Sequence, residues 1–398
     1  MSKLDDLIKK LCPNGVEYKK LYEVTIWDKK FKGVEREKQP KTINYSYLLA
    51  NDLFSIKNDN GNVYLLSTGK VDGWTTEELA GINLCEGEIV SIPWGGTPIV
   101  KYYKGKFVTS DNRIATSNNI NVLNNKYLYY YLKNKQTTLN SFYRGSSIKH
   151  PDMYKVLHLQ IPIPPLEVQE EIVRILDNFT ELNKELNKEL EYRKKQYVYY
   201  RDLLLSDDVL LKLTNKYSNS STLEYKKLGD VCEIKRGKVI SKKYIQENKG
   251  IYPVYSSQTE NNGELGKIST YMFNGEYVTW TTDGAHAGSV FYRNGKFNIT
   301  NVCGLIKPNN ILNTKFLYYI LNTLTKKYVN KGMGNAKLMS NIIELIQIPI
   351  PPLEVQEKIV EILDNFTELT ESITDGLPAE IDNRNKQYTY YRDKLLSF

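Results

Sequence analysis

Two stretches of this chain set glycine among cations and small polar residues: Arg144-Gly145-Ser146-Ser147-Ile148-Lys149-His150 and Lys331-Gly332-Met333-Gly334-Asn335-Ala336-Lys337. Such a stretch lets backbone N–H groups and cationic tips approach phosphate oxygens together. Lys235-Arg236-Gly237-Lys238, with Ser241-Lys242-Lys243 after it, has the same character. Any one of these alone is better read as a solvated charged surface; the first two carry more weight because they stand at equivalent places in two halves of the chain. Arg, Asn and Gln can read base edges through paired hydrogen bonds, whereas Lys more often holds the backbone. The candidate nucleic-acid contacts are therefore Arg144, Gly145, Ser146, Lys149, Arg236, Lys238, Lys242, Gln258, Arg293, Lys331, Gly332, Asn335 and Lys337.

Catalytic constellations are scarce. There is no G-x-x-x-x-G-K-[ST] loop for a nucleotide. Pro164-Pro165 and Pro351-Pro352 each follow isoleucine, unlike the Asn/Asp-Pro-Pro-aromatic motif of amino-methyltransferases. Gly332-x-Gly334 lacks the strand and trailing acid of a dinucleotide loop, and Glu17-x-Lys19 and Glu224-x-Lys226 lack the partner carboxylate of a nuclease. His150, His158 and His286 are scattered, and Cys12, Cys85, Cys232 and Cys303 are isolated, so no triad, zinc site or disulfide framework is expected. The chain reads as non-catalytic, with no metal or cofactor of its own.

The elements that position the basic stretches follow from a duplication. Residues 161–182 read IPIPPLEVQEEIVRILDNFTEL and residues 348–369 read IPIPPLEVQEKIVEILDNFTEL, identical at twenty of twenty-two positions. Matching tails follow, KQYVYYRDLLLS from Lys195 and KQYTYYRDKLLS from Lys386. Apolar residues step by threes and fours through Ile172, Ile175, Phe179, Leu182, Leu186 and Leu190, and again through Ile359, Ile362, Phe366, Leu369 and Ile373, with Ile381 two tetrads on, the stripe of a helix. A proline pair can open a helix but not lie inside one, so each rod is expected to start just after it and to run roughly 60 Å. Rods this long with one narrow stripe need a partner, and each other is the obvious one. Tetrads separate the conserved ends, FTEL-NKEL-NKEL in one copy and FTEL-TESI-TDGL-PAEI in the other, and Gly376 with Pro378 predicts a break in the longer.

The blocks before each copy are less alike. Short runs of Val, Ile, Tyr, Phe and Thr between Gly and Asn predict β-rich heads with some helix. Faint matches (VEYKKL from Val16 with LEYKKL from Leu223, YKGKF from Tyr103 with RNGKF from Arg293, KYLYY from Lys126 with KFLYY from Lys315) predict one shared fold. The expected layout is a head over residues 1–160, a helical block over 161–206, a Ser/Asn/Thr-rich linker over 207–222, a second head over 223–347 and a second helical block over 348–398. A length of 398 residues suits two or three domains, and a net charge of +8 suits a polyanionic partner. No run approaches eighteen apolar residues and residues 1–20 lack a signal-peptide core, so a cytoplasmic location is expected.

The IPIPPLE-x-Q-x-x-I-V-x-I-LD segment, its EL tetrads and the K-Q-Y-x-Y-Y-R-D-x-L-L-S tail, occurring twice after divergent blocks, resemble the specificity subunit of Type I restriction-modification systems. The resemblance implies an α+β protein with two target-recognition domains, each binding one half of a bipartite asymmetric DNA site. Two long antiparallel conserved helices form a coiled coil between them in a pseudo-twofold arrangement. It also implies partners: double-stranded DNA, two modification subunits that methylate adenine with S-adenosylmethionine, and two restriction subunits that use ATP and magnesium. The competing reading is a coiled-coil adaptor whose two heads bind proteins.

Overall fold

The computed structural model describes residues 3–218, 221–332, 334–372 and 374–398. Among them are seven helices of nine residues or more: α1 (Lys3–Leu11), α2 (Asn125–Asn134), α3 (Leu166–Leu204), α4 (Asp207–Ser218), α5 (Thr314–Leu324), α6 (Leu353–Glu371) and α7 (Leu377–Leu395). The chain divides into two units, residues 1–186 with 381–398 (unit 1) and residues 187–380 (unit 2).

In unit 1 the strands of three residues or more are β1 (Glu17–Lys20), β2 (Thr25–Trp27), β3 (Val63–Leu66), β4 (Gly73–Thr75), β5 (Cys85–Pro93), β6 (Lys101–Thr109), β7 (Asn112–Ser117) and β8 (Gln160–Ile163). Six form a sheet in the order β2-β7-β5-β6-β3-β4, and β1 pairs antiparallel with β8. In unit 2 they are β9 (Tyr225–Lys227), β10 (Cys232–Arg236), β11 (Lys249–Tyr255), β12 (Glu264–Ile268), β13 (Phe273–Thr281), β14 (Val290–Ile299), β15 (Cys303–Pro308) and β16 (Gln347–Pro349). Their sheet runs β10-β15-β13-β14-β11-β12, with β9 paired to β16. Adding eight to each strand of the first sheet gives the second. Even the one parallel pairing in each recurs, Leu66 opposite Thr109 and Tyr255 opposite Ile299. The two heads share a fold, as the faint matches predict.

Side-chain alternation splits each central strand between two cores. Val90 and Ile92 of β5 pack with Tyr127, Leu128 and Tyr131 of α2, while Ile89 packs on the other face with Phe107 and Ile114. Val278 and Trp280 of β13 meet Phe316, Leu317 and Ile320 of α5, and Tyr277 meets Phe297 and Leu305 behind. Asn124 and Asn313 cap α2 and α5 by accepting from two backbone N–H groups each.

The duplicated segment fastens each head to its own helix. Gln169 Oε1 accepts from Asn124 N at 2.9 Å and its amide donates to the carbonyls of Val122 and Pro164. Gln356 does the same with Asn313, Ile311 and Pro351. Both glutamines are fully buried, so every polar atom needs such a partner. One turn or two further on, Asp177 accepts from Lys126 and Tyr130 at 2.8 and 2.6 Å, and Asp364 from Lys315 and Tyr319 at 2.5 and 2.7 Å.

Each unit also holds a helix pair. In unit 1 Phe179 of α3 stacks on Tyr391 of α7 at 5.6 Å, and Tyr18, opposite Pro162 in the β1–β8 ladder, donates to the Phe398 carbonyl. The end of the chain therefore lies at the start of α3, and the two helices run antiparallel. In unit 2 Phe366 of α6 stacks on Tyr200 of α3 at 5.6 Å, while Asp207 meets Tyr225, whose ladder partner is Pro349. The same antiparallel sense follows.

Two expectations are corrected, and the break expected at Gly376 and Pro378 is present. Residues 207–222 are not a linker throughout: Asp207–Ser218 is α4, whose Leu210 is buried in the unit 2 core, because Leu210, Leu213 and Tyr217 step along one face behind an acidic first turn. The second rod is two helices, α6 and α7. A Cβ on Gly376 would lie 2.3 Å from the Glu368 carbonyl oxygen and 2.8 Å from that of Leu369, so the chain turns where only glycine fits, with Pro378 in the first turn of α7. The helix stripe also differs from its forecast. Ile172 and Ile359 are buried, but in the head cores alongside Val168, Leu176, Val355 and Leu363. Ile175, Phe179, Leu186, Leu190, Phe366 and Ile381 are half-buried, and Leu182, Leu369 and Ile362 are 36%, 37% and 43% exposed. Ile373 lies outside the described residues. The periodicity is right, but the sheets and the capped helices, rather than the opposite rod, take up the deepest residues.

Candidate nucleic-acid interface

In unit 1 four turns gather at one end of the sheet. Tyr143 and Arg144 pair with His150 and Pro151, leaving residues 145–149 as an exposed turn. Gly96, just past β5, donates to the Lys149 carbonyl at 2.9 Å, and His150 Nδ1 donates to the Trp94 carbonyl at 2.8 Å. Trp94 N bonds Asp111 O, joining the β6–β7 turn to the same end. Behind it Arg113 lies over the Trp94 ring at 4.4 Å and bonds Asp111 and Asp28 at 2.6 and 3.2 Å. Burial raises the Asp28 carboxyl above its ordinary value against the opposing pull of Ile114 N–H and Arg113. Asn112 Nδ2, bonded to Leu66 O at 3.0 Å, brings in the turn that leaves β3.

Unit 2 repeats the arrangement. Gly284 donates to the Ala336 carbonyl and Leu338 to that of Thr282, seating residues 334–338 against the turn after β13. Arg236 reaches from the end of β10 to Thr282 Oγ1 at 3.2 Å and the Asn301 carbonyl at 3.1 Å. Thr300 Oγ1 bonds Ser256 Oγ at 3.0 Å, tying in the turn after β11.

The structure places most candidates on these ends. Arg144, Gly145, Ser146 and Lys149 are exposed on the first turn, and Lys331, Gly332, Asn335 and Lys337 on the second. Lys238 is exposed, with its backbone bridged to Thr300. Gln258 is half-buried and spans its turn by donating to the Glu264 carbonyl at 2.6 Å. Lys242 lies on an exposed helix of its own, Lys242–Glu247. Gly145 has a structural role too: φ is +144° and a Cβ would sit 2.4 Å from the Ile148 carbonyl.

Arg293 is the correction. It is 3% exposed, 3.5 Å from the Tyr255 ring and 4.6 Å from that of Phe291, and bonds Thr279 Oγ1 and the Asn262 carbonyl, so it cannot reach a base. Burial pulls its guanidinium below the ordinary value. Nothing in the strand sequence tells which pleat face a lone arginine takes. Sequence reasoning also passed over Lys101, Arg113 and the Asn261-Asn262-Gly263 turn; only the last carries a local signal, since Asn-Gly pairs favour positive φ.

Among the described residues no group of three or more His, Cys, Asp or Glu is placed to hold a metal, and no helix is long and apolar enough to cross a membrane. Fold and site define a duplicated α+β module whose two sheets each present a basic, glycine-bearing end. The model of the "Type I restriction modification DNA specificity domain" matches residues 40–192 and again residues 220–383. A protein of Mycoplasma pneumoniae named as a type I specificity subunit is 45% identical over 240 residues, covering 60% of this chain and 93% of that protein. A Haemophilus influenzae protein so named is 32% identical over 339 residues, 79% of this chain and 83% of its own. The crystal structure of a Type I restriction-modification S subunit from M. genitalium superposes with a TM-score of 0.59 at 19% identity, covering 96% of both chains. The chain belongs to the Type I restriction-modification DNA specificity family.

Proposed function

We propose that this protein is the sequence-reading, non-catalytic subunit of a Type I restriction-modification complex, with each unit binding one half of a bipartite, asymmetric DNA site. The observation that carries this is the recurrence of one fold with one anchoring scheme, Gln169 with Asp177 and Gln356 with Asp364, beneath turns of different sequence. Identical anchors suit identical neighbours, and unlike turns suit unlike half-sites. Two modification subunits, carrying S-adenosylmethionine and methylating adenine, are the partners for the duplicated helices. Two restriction subunits, using ATP and magnesium, complete a cleaving complex in the cytoplasm. The tetrads between the conserved helix ends would set the gap between half-sites.

The test is to map methylated adenines in cells with and without this gene, modification subunit present. Methylation at one split motif is expected to vanish with the gene. An unchanged map beside an active modification subunit would overturn the reading.

A further inference from the structure

On β6 and on its counterpart β14, one inward-facing cation grips the turn that leaves the neighbouring parallel strand. Lys101 Nζ bonds the Ser67 carbonyl at 2.9 Å and Asp72 Oδ1 at 2.6 Å, with its side chain 11% exposed. Asp72 in turn accepts from Ser67 N and the Tyr64 hydroxyl, closing residues 67–72 into a tied loop. In unit 2 the matching turn is residues 256–263, and Arg293 Nη2 holds its Asn262 carbonyl at 2.7 Å. Taking Gly105 and Gly295 as equivalent, Arg293 stands where unit 1 has Tyr103, one pleat along the same strand face from Lys101.

The turn in unit 2 is held in an uncommon form. Asn261, Asn262 and Gly263 have φ of 48°, 53° and 78°, three left-handed residues in succession. Each asparagine there costs roughly 1 kcal/mol, and such strain persists where surrounding contacts impose it, typically at functional sites. Arg293 adds a second cost. Among the described residues no carboxylate pairs with it and its Nη1 finds no hydrogen-bond partner, so only the Tyr255 and Phe291 rings and the Thr279 and Asn262 oxygens offset the cost of burying its charge. Both features fit a turn that is held in one form. Asn261 and Asn262 are exposed at its tip, and a carboxamide can pair with both N6 and N7 of adenine. The tip in unit 1 is Thr68-Gly69-Lys70-Val71, chemically unlike it, as two different half-sites require.

We propose that Arg293 and Lys101 are positioning residues for base recognition, each fixing from beneath a turn whose tip enters the DNA groove at its own half-site. The proposal rests on the DNA-recognition reading above. Its test uses the complex assembled with the modification subunits, methylating a DNA library randomised across both half-sites. Arg293→Met is expected to cut base preference about ten-fold within one half-site and leave the other intact. Lys101→Met is expected to do the same at the opposite half-site, and Lys101→Arg to restore it. Because either truncation could unfold its unit, a third variant changes only exposed residues: Asn261→Gly with Asn262→Gly removes the tip carboxamides and frees the turn together, and is expected to lower preference at the Arg293 half-site without lowering the melting temperature. Folded variants that keep both profiles, or that blur both half-sites equally, would overturn the grip. A wild-type complex with no base preference would instead overturn the DNA reading beneath it.

Discussion

Glu171 and its partners show how single residues set the limits of this fold. The carboxylate, 3% exposed, is held by Arg174 at 2.6 Å and by Lys3 of α1 at 2.9 Å. The Arg174 guanidinium, more than the Lys3 ammonium, brings its pKa down to about 2. A carboxyl depressed in the folded state stabilises above its ordinary value near 4.5, and that contribution fades as pH falls through about 2. Urea unfolding of Glu171→Gln is therefore expected to show a deficit of ~2 kcal/mol at pH 6 that closes between pH 4.5 and 2; a deficit independent of pH would contradict the pairing. Residue identity was only partly legible in the sequence. The basic turns were visible because exposed Gly and Lys runs need no tertiary context. Arg293, Lys101 and Gln169 were not, since their roles come from partners 31, 34 and 45 residues away.

At the scale of elements, the duplicated rods were legible down to the start of α3, because proline and a 3.6-residue period are local signals. The break after α6 was equally readable from Gly376 and Pro378. What periodicity could not say was which neighbour takes the stripe. Val168, Ile172 and Leu176 face a head that is itself built from distant strands. Nor could composition find α4, because its Ser/Asn-rich end masked a short amphipathic stretch. Gly376→Ala should lower the melting temperature of the unit 2 transition, at ~1–3 kcal/mol, since the methyl would meet the Glu368 and Leu369 carbonyls; an unshifted transition would show that the turn relaxes freely.

At the scale of the whole molecule, a net charge of +8 and basic turns in both units make affinity for DNA a matter of ions as well as bases. Binding of the assembled complex to its cognate duplex is expected to weaken about a thousand-fold between 50 and 200 mM salt, the fall for about six neutralised phosphates; a flat salt profile would favour a protein-only adaptor. Duplication on this scale also creates a hazard, because a nascent chain holding two nearly identical docking segments can pair each with the wrong neighbour. The two positions at which the 22-residue copies differ bear on it. Glu171 and Arg174 in one become Lys358 and Glu361 in the other. Glu171 meets Lys3 of α1, and Lys358 lies 3.7 Å over the Tyr217 ring of α4. An α1 that docked on the second copy would bring Lys3 against Lys358, like charge on like. A reversal of charge at one site would thus serve as an address label, sorting twin surfaces during synthesis, while the Gln169–Asp177 and Gln356–Asp364 anchors stay alike.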